Sequence, residues 1–231
     1  MSSRVAQWSG LEREPWDLMV VGGGISGAAI LREAARAGLR ALLVEQRDFA
    51  WGTSSRSTKL VHGGLRYLAT GDVRLVRESI RERDRLLAEG SGLVTPQPFL
   101  LASHVRDGAA RRLQGRLGVA AYELLRGALP RRAHSARALQ ALVPALGEDA
   151  GRVGVPYDEA TVDDARLVLR LLSEASSAGA RTLNYARVTE LVREEGQVVG
   201  ARLQDAAGPH TACVRAPTTW PSSRTSAVTR A

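Results

Sequence analysis

With 231 residues, 44% of them hydrophobic and 24% charged, the chain can bury the core of one sizeable domain or slightly more, which excludes a disordered protein. Its net charge of +8 does not describe a nucleic-acid binder, because Lys59 is the only lysine, the arginines are interspersed with Asp and Glu, and aromatics make up 4%. The single cysteine, Cys213, excludes an intrachain disulfide and a cysteine metal cluster, and His62, His104, His134 and His210 lack metal-ligand spacing.

Residues 1–16 are polar and charged, lack the apolar core of a secretory signal, and read as a loose leader. The next stretch, 18–45, is the most informative. Leu18-Met19-Val20-Val21 is a short strand that leads into Gly22-Gly23-Gly24-Ile25-Ser26-Gly27. An alanine-rich helix runs to Ala37, Gly38 stops it, and Ala41-Leu42-Leu43-Val44 forms a second strand ending at Glu45. This order is that of a dinucleotide site. Gly22 permits the tight turn, Gly24 lets the backbone approach a pyrophosphate, and Gly27 lets the helix lie close to the sheet. The helix N-terminus near Ile25 favours phosphate, and Glu45 stands 21 residues beyond Gly24, where a carboxylate can accept from ribose hydroxyls.

After an irregular Gly/Ser/Thr-rich stretch, Asp72 caps a helix with Val73, Val76, Ile80 and Leu87 on one face. Pro96 and Pro98 bracket a loop before Phe99-Leu100-Leu101. Residues 109–128 form a second amphipathic helix that aligns Leu113, Leu117, Ala121, Leu124 and Ala128. Residues 133–158 read as a connector with a helical piece at 136–142. Asp163 caps a helix carrying Leu167, Val168, Leu171 and Leu172, and Gly179 ends it. A strand at 181–185 and a hairpin over 188–192 and 198–204, turned at Glu195-Gly196, follow. No stretch approaches the roughly eighteen apolar residues of a membrane span, so a cytoplasmic location is expected.

A second motif runs Gly52-Thr53-Ser54-Ser55-Arg56-Ser57-Thr58-Lys59-Leu60-Val61-His62-Gly63-Gly64-Leu65-Arg66-Tyr67-Leu68. Its five small hydroxyl side chains and three glycines allow close approach to a flat polar ligand, and Arg56, Lys59, His62 and Arg66 equip it for an anion. Together with the upstream glycine turn, this run resembles the FAD-dependent glycerol-3-phosphate dehydrogenases of bacterial aerobic respiration and mitochondria. That family lies within the D-amino-acid-oxidase-like flavoproteins. Its TSS-x-S-S/T-K-L-I/V-HGGLRYL run matches Thr53 to Leu68 here, and its Asp-Asp-Ala-Arg-Leu-Val-Leu run matches Asp163 to Leu169.

The resemblance implies an α/β fold: a Rossmann-like, glutathione-reductase-like FAD-binding domain on a central parallel sheet, with a partial substrate domain inserted. On this basis residues 17–90 and 161–207 are two segments of the FAD domain, 91–160 a partial substrate or cap region, and 208–231 an irregular tail, truncated or frame-shifted. Gly22, Gly24, Ile25, Ser26, Gly27, Glu45 and Gln46 would hold the FAD pyrophosphate and adenosine ribose. Ser54, Ser55, Thr58, Lys59, Leu60, His62 and Gly63 would line the ribityl and flavin region, and Val188 would touch the adenine end through its backbone. Arg66 matches a family arginine that contacts the substrate phosphate, and His62 is either an acid–base group or a structural contact beside the flavin.

The implied reaction oxidises sn-glycerol 3-phosphate to dihydroxyacetone phosphate and passes electrons to a membrane quinone, with peripheral contact at the cytoplasmic membrane face to which basic, amphipathic residues 111–132 contribute. No metal is implied. Family members are longer and carry, after the hairpin, a strand ending in an Asn-Ala-x-Gly-Pro-Trp-like turn. Here 216 onward shows no such strand, and Ala207-Gly208-Pro209 sits too early. Two alternatives therefore stand beside the dehydrogenase: a non-catalytic FAD-binding fragment of it, and another FAD-dependent amine or hydroxy-acid oxidase.

Overall fold

The computed structural model describes residues 4–90, 92–104, 106–146, 150–206, 208–215 and 228–230. Along the chain come α1 (Arg4–Trp8), β1 (Leu18–Val21), α2 (Ile25–Arg36), β2 (Ala41–Val44), β3 (Leu60–Val61), α3 (Leu65–Leu68) and α4 (Val73–Glu89). They are followed by β4 (Val94–His104), α5 (Ala109–Leu125), β5 (His134–Ser135), α6 (Ala136–Leu142), β6 (Ala150–Val162) and α7 (Asp164–Ser177). The last elements are β7 (Arg181–Leu183), β8 (Ala186–Glu194), β9 (Gln197–Asp205), β10 (Thr211–Arg215) and β11 (Val228–Arg230). Two compact units result, one of Met1–Ser57 with Asp164–Ala231, the other of Thr58–Asp163.

The first unit is the α/β one. Its sheet has the order β11-β1-β2-β7, and all three pairings are parallel. Side chains alternate across the sheet. Val20 and Leu43 pack with Leu31 of α2 and Val168, Leu171 and Leu172 of α7. Met19, Leu42 and Val44 face the opposite way, onto Ala201 and Leu203 of β9. Covering both faces explains why β2 reads as four consecutive apolar residues, all buried. The antiparallel sheet β10-β9-β8 turns its hairpin at Glu195 (φ 50°) and Gly196 (φ 80°), the paired positive values of a type I′ turn.

The predicted loose leader is instead part of this core. Trp8, Leu11 and Trp16 are 7%, 1% and 4% exposed, and they join the cluster around Leu42 and Leu203. Three large apolar side chains outweigh the polar residues between them, because burying each contributes on the order of 2 kcal/mol. Arg4 fixes the start of the segment: its Nε and Nη2 donate to Asp205 at 3.2 and 2.8 Å, and Nη2 also donates to the Tyr185 carbonyl at 3.1 Å. The Asp205 side chain is fully out of solvent. Arg4→Ala removes charge-assisted bonds from a buried carboxylate, so its expected cost in a urea titration is about 1–3 kcal/mol.

The second unit holds an antiparallel sheet in which β6 is central, with β4 on one side and β3 and β5 on the other. Residues 94–104 form one long strand, not a loop followed by a short apolar segment. Pro96 and Pro98 lie inside it, opposite Ala160 and Asp158. An edge strand tolerates them, since the missing N–H groups fall on the side without a partner. Residues predicted as a connector hold α6 at the expected position, but also most of β6. Residues 58–90, expected in the first FAD-domain segment, lie in this second compact unit, where β3 pairs with β6 and α4 packs with Tyr122 of α5.

The apolar stripe predicted for α5 is not its buried face. Leu113, Leu117 and Leu124 are 54%, 61% and 60% exposed, while Val119, Tyr122 and Glu123 are buried. Of the segment predicted as an irregular tail, 216–227 and 231 lie outside the described residues. Thr211–Arg215 pairs with β9 as a regular strand, and Val228–Arg230 pairs with β1.

Candidate functional site

In the first unit, β1 delivers the chain to Gly22 at φ 115°, whose N–H donates to the Val44 carbonyl at 2.8 Å. The backbone then enters α2 through Gly24, with no side chain of its own as a cap. Ser54 supplies that cap from a distance of thirty residues or so in sequence terms: its Oγ accepts from the Ile25 N–H at 2.9 Å. Gly27 lies so close to the preceding turn that a Cβ there would overlap the Gly22 carbonyl oxygen and press on Val20 Cγ1 at 3.3 Å. The helix can therefore approach the strand only with glycine at this position.

Around this turn is a cavity of about 270 Å³ lined by Gly22, Gly24, Ser26, Gly27, Glu45 and Ser54, with Ile25 also on its wall. Glu45 organises its inner side: Oε2 accepts from the Gly23 N–H and Oε1 from the Arg47 N–H, each at 2.8 Å. An ionised carboxylate has about four acceptor positions, so roughly two remain for ribose hydroxyls. A second cavity of about 560 Å³ is lined by Gly22, Glu45, Gln46, Ala186, Val188 and Leu191. The two share Gly22 and Glu45. The first lies at the positive end of α2, where phosphate is favoured, and the second adjoins it through Glu45, so the chemistry of these residues suits FAD.

Trp51, Gly52 and Thr53 also line the smaller cavity. The Trp51 ring carries two stacked guanidiniums, with Arg47 and Arg56 Cζ at 3.8 and 4.3 Å from its centroid. They add positive potential beside the glycine turn. The sequence signal for this, a tryptophan with arginines four residues before and five after it, has no helical or strand period and was missed. Ser54, expected in the ribityl and flavin region, caps α2 at the glycine turn, and Ser55 Oγ donates locally to the Gly52 carbonyl at 3.3 Å.

Thr58, Lys59, Leu60, His62, Gly63 and Arg66 all belong to the second unit. Lys59 adopts φ 61°, and its carbonyl accepts from the Val162 N–H at 2.9 Å, which sets the register of β3 against β6. Gly64, at φ 82°, starts α3. His62 and Arg66 are both exposed, and the His62 ring lies 6.4 Å from that of Tyr67. Arg66 has no carboxylate partner among the described residues.

Beneath this segment lies a buried polar network that the sequence did not disclose. The Gly63 N–H donates to Glu159 Oε2 at 2.9 Å. Tyr122 donates its hydroxyl proton to Glu159 Oε1 at 2.8 Å, and Arg83 Nη1 donates to Tyr122 Oη and Glu159 Oε2 at 2.9 and 3.2 Å. Arg83, Tyr122 and Glu159 are 2%, 0% and 5% exposed. Arg83 also bonds the half-exposed Asp84 through Nε and Nη2, at 3.0 and 2.6 Å. Burial opposes the Arg83 charge, but the hydrogen bond to Asp84 and the neighbouring Tyr122, Asp84 and Glu159 outweigh it and leave its pKa raised. Burial first, then the Glu159 charge, pushes the Tyr122 hydroxyl well up, so it remains a donor. The arginine-rich look of α4 hides which arginine points inward: only Arg83 is buried.

This geometry can be set beside known proteins. The aerobic glycerol-3-phosphate dehydrogenase of Bacillus subtilis (strain 168) is 38% identical over 211 residues, a match covering 86% of this chain and 38% of that protein. That of Staphylococcus haemolyticus (strain JCSC1435) is 37% identical over 199 residues. The chain thus spans well under half the length of these relatives. The crystal structure of the glycerol-3-phosphate dehydrogenase from Bacillus halodurans complexed with FAD superposes with a TM-score of 0.70 at 30% identity, covering 92% of this chain and 35% of that one. Glycine oxidase from Bacillus cereus, at 18% identity and a TM-score of 0.58, shares the fold. The profile of the FAD dependent oxidoreductases matches residues 17–224, and the chain belongs to that family of FAD-dependent oxidoreductases.

Proposed function

We propose that this chain is the FAD-binding and phosphate-recognising portion of a glycerol-3-phosphate dehydrogenase, which oxidises the C2 alcohol of sn-glycerol 3-phosphate to dihydroxyacetone phosphate and passes electrons to a membrane quinone. FAD, when bound, supplies the two-electron acceptor for such an oxidation. Gly22, Gly24, Ser26 and Gly27 would hold its diphosphate, Glu45 its ribose, and Gln46 with Val188 the adenine end. Ser55, Thr58, Lys59, Leu60, His62 and Gly63 would serve the ribityl and flavin region. The observation that carries the substrate assignment is Arg66, exposed on α3 without a carboxylate partner among the described residues, in a chain whose relatives over 86% of its length are named for glycerol 3-phosphate. Its planar fork suits a phosphate bidentately. Exposed Leu113, Leu117 and Leu124 beside Arg111 and Arg116 on α5 support peripheral contact with the cytoplasmic membrane face. Among the described residues no helix is long and apolar enough to cross a membrane.

The test is the visible spectrum of the purified chain before and after anaerobic addition of sn-glycerol 3-phosphate. Bleaching of a flavin spectrum is the expected result. A flavin spectrum that stays unbleached sinks the catalytic claim and leaves an FAD-binding fragment, while a colourless folded protein sinks the FAD claim too. Bleaching by an amino acid or a hydroxy acid instead would identify the other oxidase class. Arg66→Gln is expected to weaken binding of sn-glycerol 3-phosphate by about 10- to 100-fold, the loss of one or two charge-assisted bonds. Arg66→Lys recovers only part of this, because an ammonium lacks the fork.

A further inference from the structure

We infer that Glu159, Tyr122 and Arg83 are positioning residues for the Gly63 to Arg66 segment, holding the backbone that aims Arg66 at its anion. For Arg66 this inference rests on the phosphate reading above; for the backbone it stands on the geometry alone. Gly63 is tied at two points that differ in kind. Its N–H is held by Glu159 Oε2 at 2.9 Å. Its α-carbon is pressed against Tyr122, so that a Cβ would overlap the tyrosine hydroxyl and approach Ile80 Cγ1 to 2.8 Å. The same hydroxyl donates to Glu159 Oε1, so the group that excludes a side chain at Gly63 also orients its acceptor. Arg83 closes the arrangement by donating to both partners.

Three polar side chains this deeply buried carry a desolvation cost that a plain apolar cluster would avoid, and apolar replacement of such groups is often neutral or stabilising. Apolar material is at hand, since Val76 and Ile80 flank Tyr122 in the same cluster. What hydrocarbon cannot do is accept the Gly63 N–H in a fixed direction. Gly63 stands between β3 and α3: three residues further on comes Arg66, in a helix of only four residues. So short a helix has little rigidity of its own. Its direction is set by the turn that starts it, with Gly64 at φ 82° and the Tyr67 N–H donating to the Gly64 carbonyl at 2.8 Å. An anchor on Gly63 is therefore passed to Arg66 through only two intervening residues, Gly64 and Leu65.

The experiment uses the full 231-residue chain, isotopically labelled, with amide hydrogen exchange read by NMR and sn-glycerol 3-phosphate binding followed at the Arg66 side-chain N–H. In Glu159→Gln the charged acceptor becomes a neutral amide, and exchange at Gly63 is expected to accelerate about tenfold, while amides of Phe99 and Leu100 in β4 stay unchanged. Tyr122→Phe, which deletes one oxygen and preserves the packing, is expected to accelerate Gly63 a few-fold in the same selective way. Both variants shift the Arg66 side-chain resonance and weaken sn-glycerol 3-phosphate binding several-fold. Arg74→Gln, in an exposed pair on α4, does neither. Gly63→Ala abolishes the anchored state, and adding Tyr122→Phe restores part of it, because the second change removes the worst of the collisions and leaves that with Ile80 Cγ1.

Unchanged Gly63 exchange in Tyr122→Phe and Glu159→Gln overturns the inference. So does acceleration shared equally by Gly63 and the β4 amides, which would make the network a general support of the fold. If Glu159→Gln does not fold, Tyr122→Phe decides. If Arg66→Gln binds sn-glycerol 3-phosphate as well as the unmodified chain, the phosphate reading fails, and the exchange data still judge the anchor on Gly63.

Discussion

Replacing Gly27 by alanine is expected to remove bound flavin from the purified protein and to lower its stability by about 3 kcal/mol, the upper part of the range for forcing a methyl into filled space. The obstacle is backbone. A Cβ at Gly27 overlaps the Gly22 carbonyl oxygen, with the Gly22 carbonyl carbon at 3.2 Å behind it, and neither can swing aside as a flexible side chain would. Relief requires α2 to move away from β1. That displacement opens the contacts of Leu31 with Val20 and Leu43, and it retracts the first turn of α2 from the cavity it lines. The measurement is flavin absorbance per mole of protein together with a urea titration. Normal flavin content with unchanged stability would show that the turn does not hold the cofactor. Gly38→Ala is the useful contrast: its Cβ meets nothing within 4 Å, so only the strain of φ 77° is added, and flavin should be retained.

Arg83→Met is expected to destabilise the second unit by about 3–5 kcal/mol, because it leaves a buried carboxylate without its cation. Arg83 and Glu159 are 3.2 Å apart with side chains 2% and 4% exposed, so water cannot readily take over. Exposed pairs give the scale. Arg74 and Glu78 on the same helix are 90% and 53% exposed, and their removal should cost well under about 1 kcal/mol. The double variant Arg83→Met, Glu159→Gln should lose less than the sum of the two single changes, since a neutral amide at 159 no longer needs the cation and can still accept from Gly63. A double-mutant cycle by urea unfolding measures this. A coupling energy indistinguishable from zero would mean that the pair does not act as a unit.

Much of the geometry of the glycine turn and its acid was legible in the primary structure, for a local reason. Strand, glycine turn, helix, strand and acid lie within 18–45, so each constraint acts between near neighbours, and Gly22, Gly27 and Glu45 occupy the positions their spacing implies. Val188 was named by resemblance alone, and the cavity it lines with Glu45 and Gln46 forms only where the start of β8 meets the end of β2, the Ala186 N–H donating to the Glu45 carbonyl at 2.8 Å. Helices α2, α4 and α7 were readable from local composition, period and caps, Asp72 accepting from the Leu75 N–H at 3.0 Å as its sequence position suggests.

Tertiary structure decided the rest, because the deciding partners lie far apart in the chain. Trp8, Leu11 and Trp16 look like stray apolar residues until β9 supplies the surface that buries them. Pro96 and Pro98 look like loop formers until β4 is seen to be an edge strand. Leu113 and Leu117 look like a core stripe, whereas Tyr122 and Glu123 are the residues α5 turns inward. Arg83 is one basic residue among several on α4, and nothing in its local sequence distinguishes it. What singles it out is Glu159, 76 residues away, arriving on β6 beside the Gly63 N–H. Local periodicity reports which faces are apolar. It cannot report where a buried charge finds its partner, since that energy exists only once the distant segments have met and water has left.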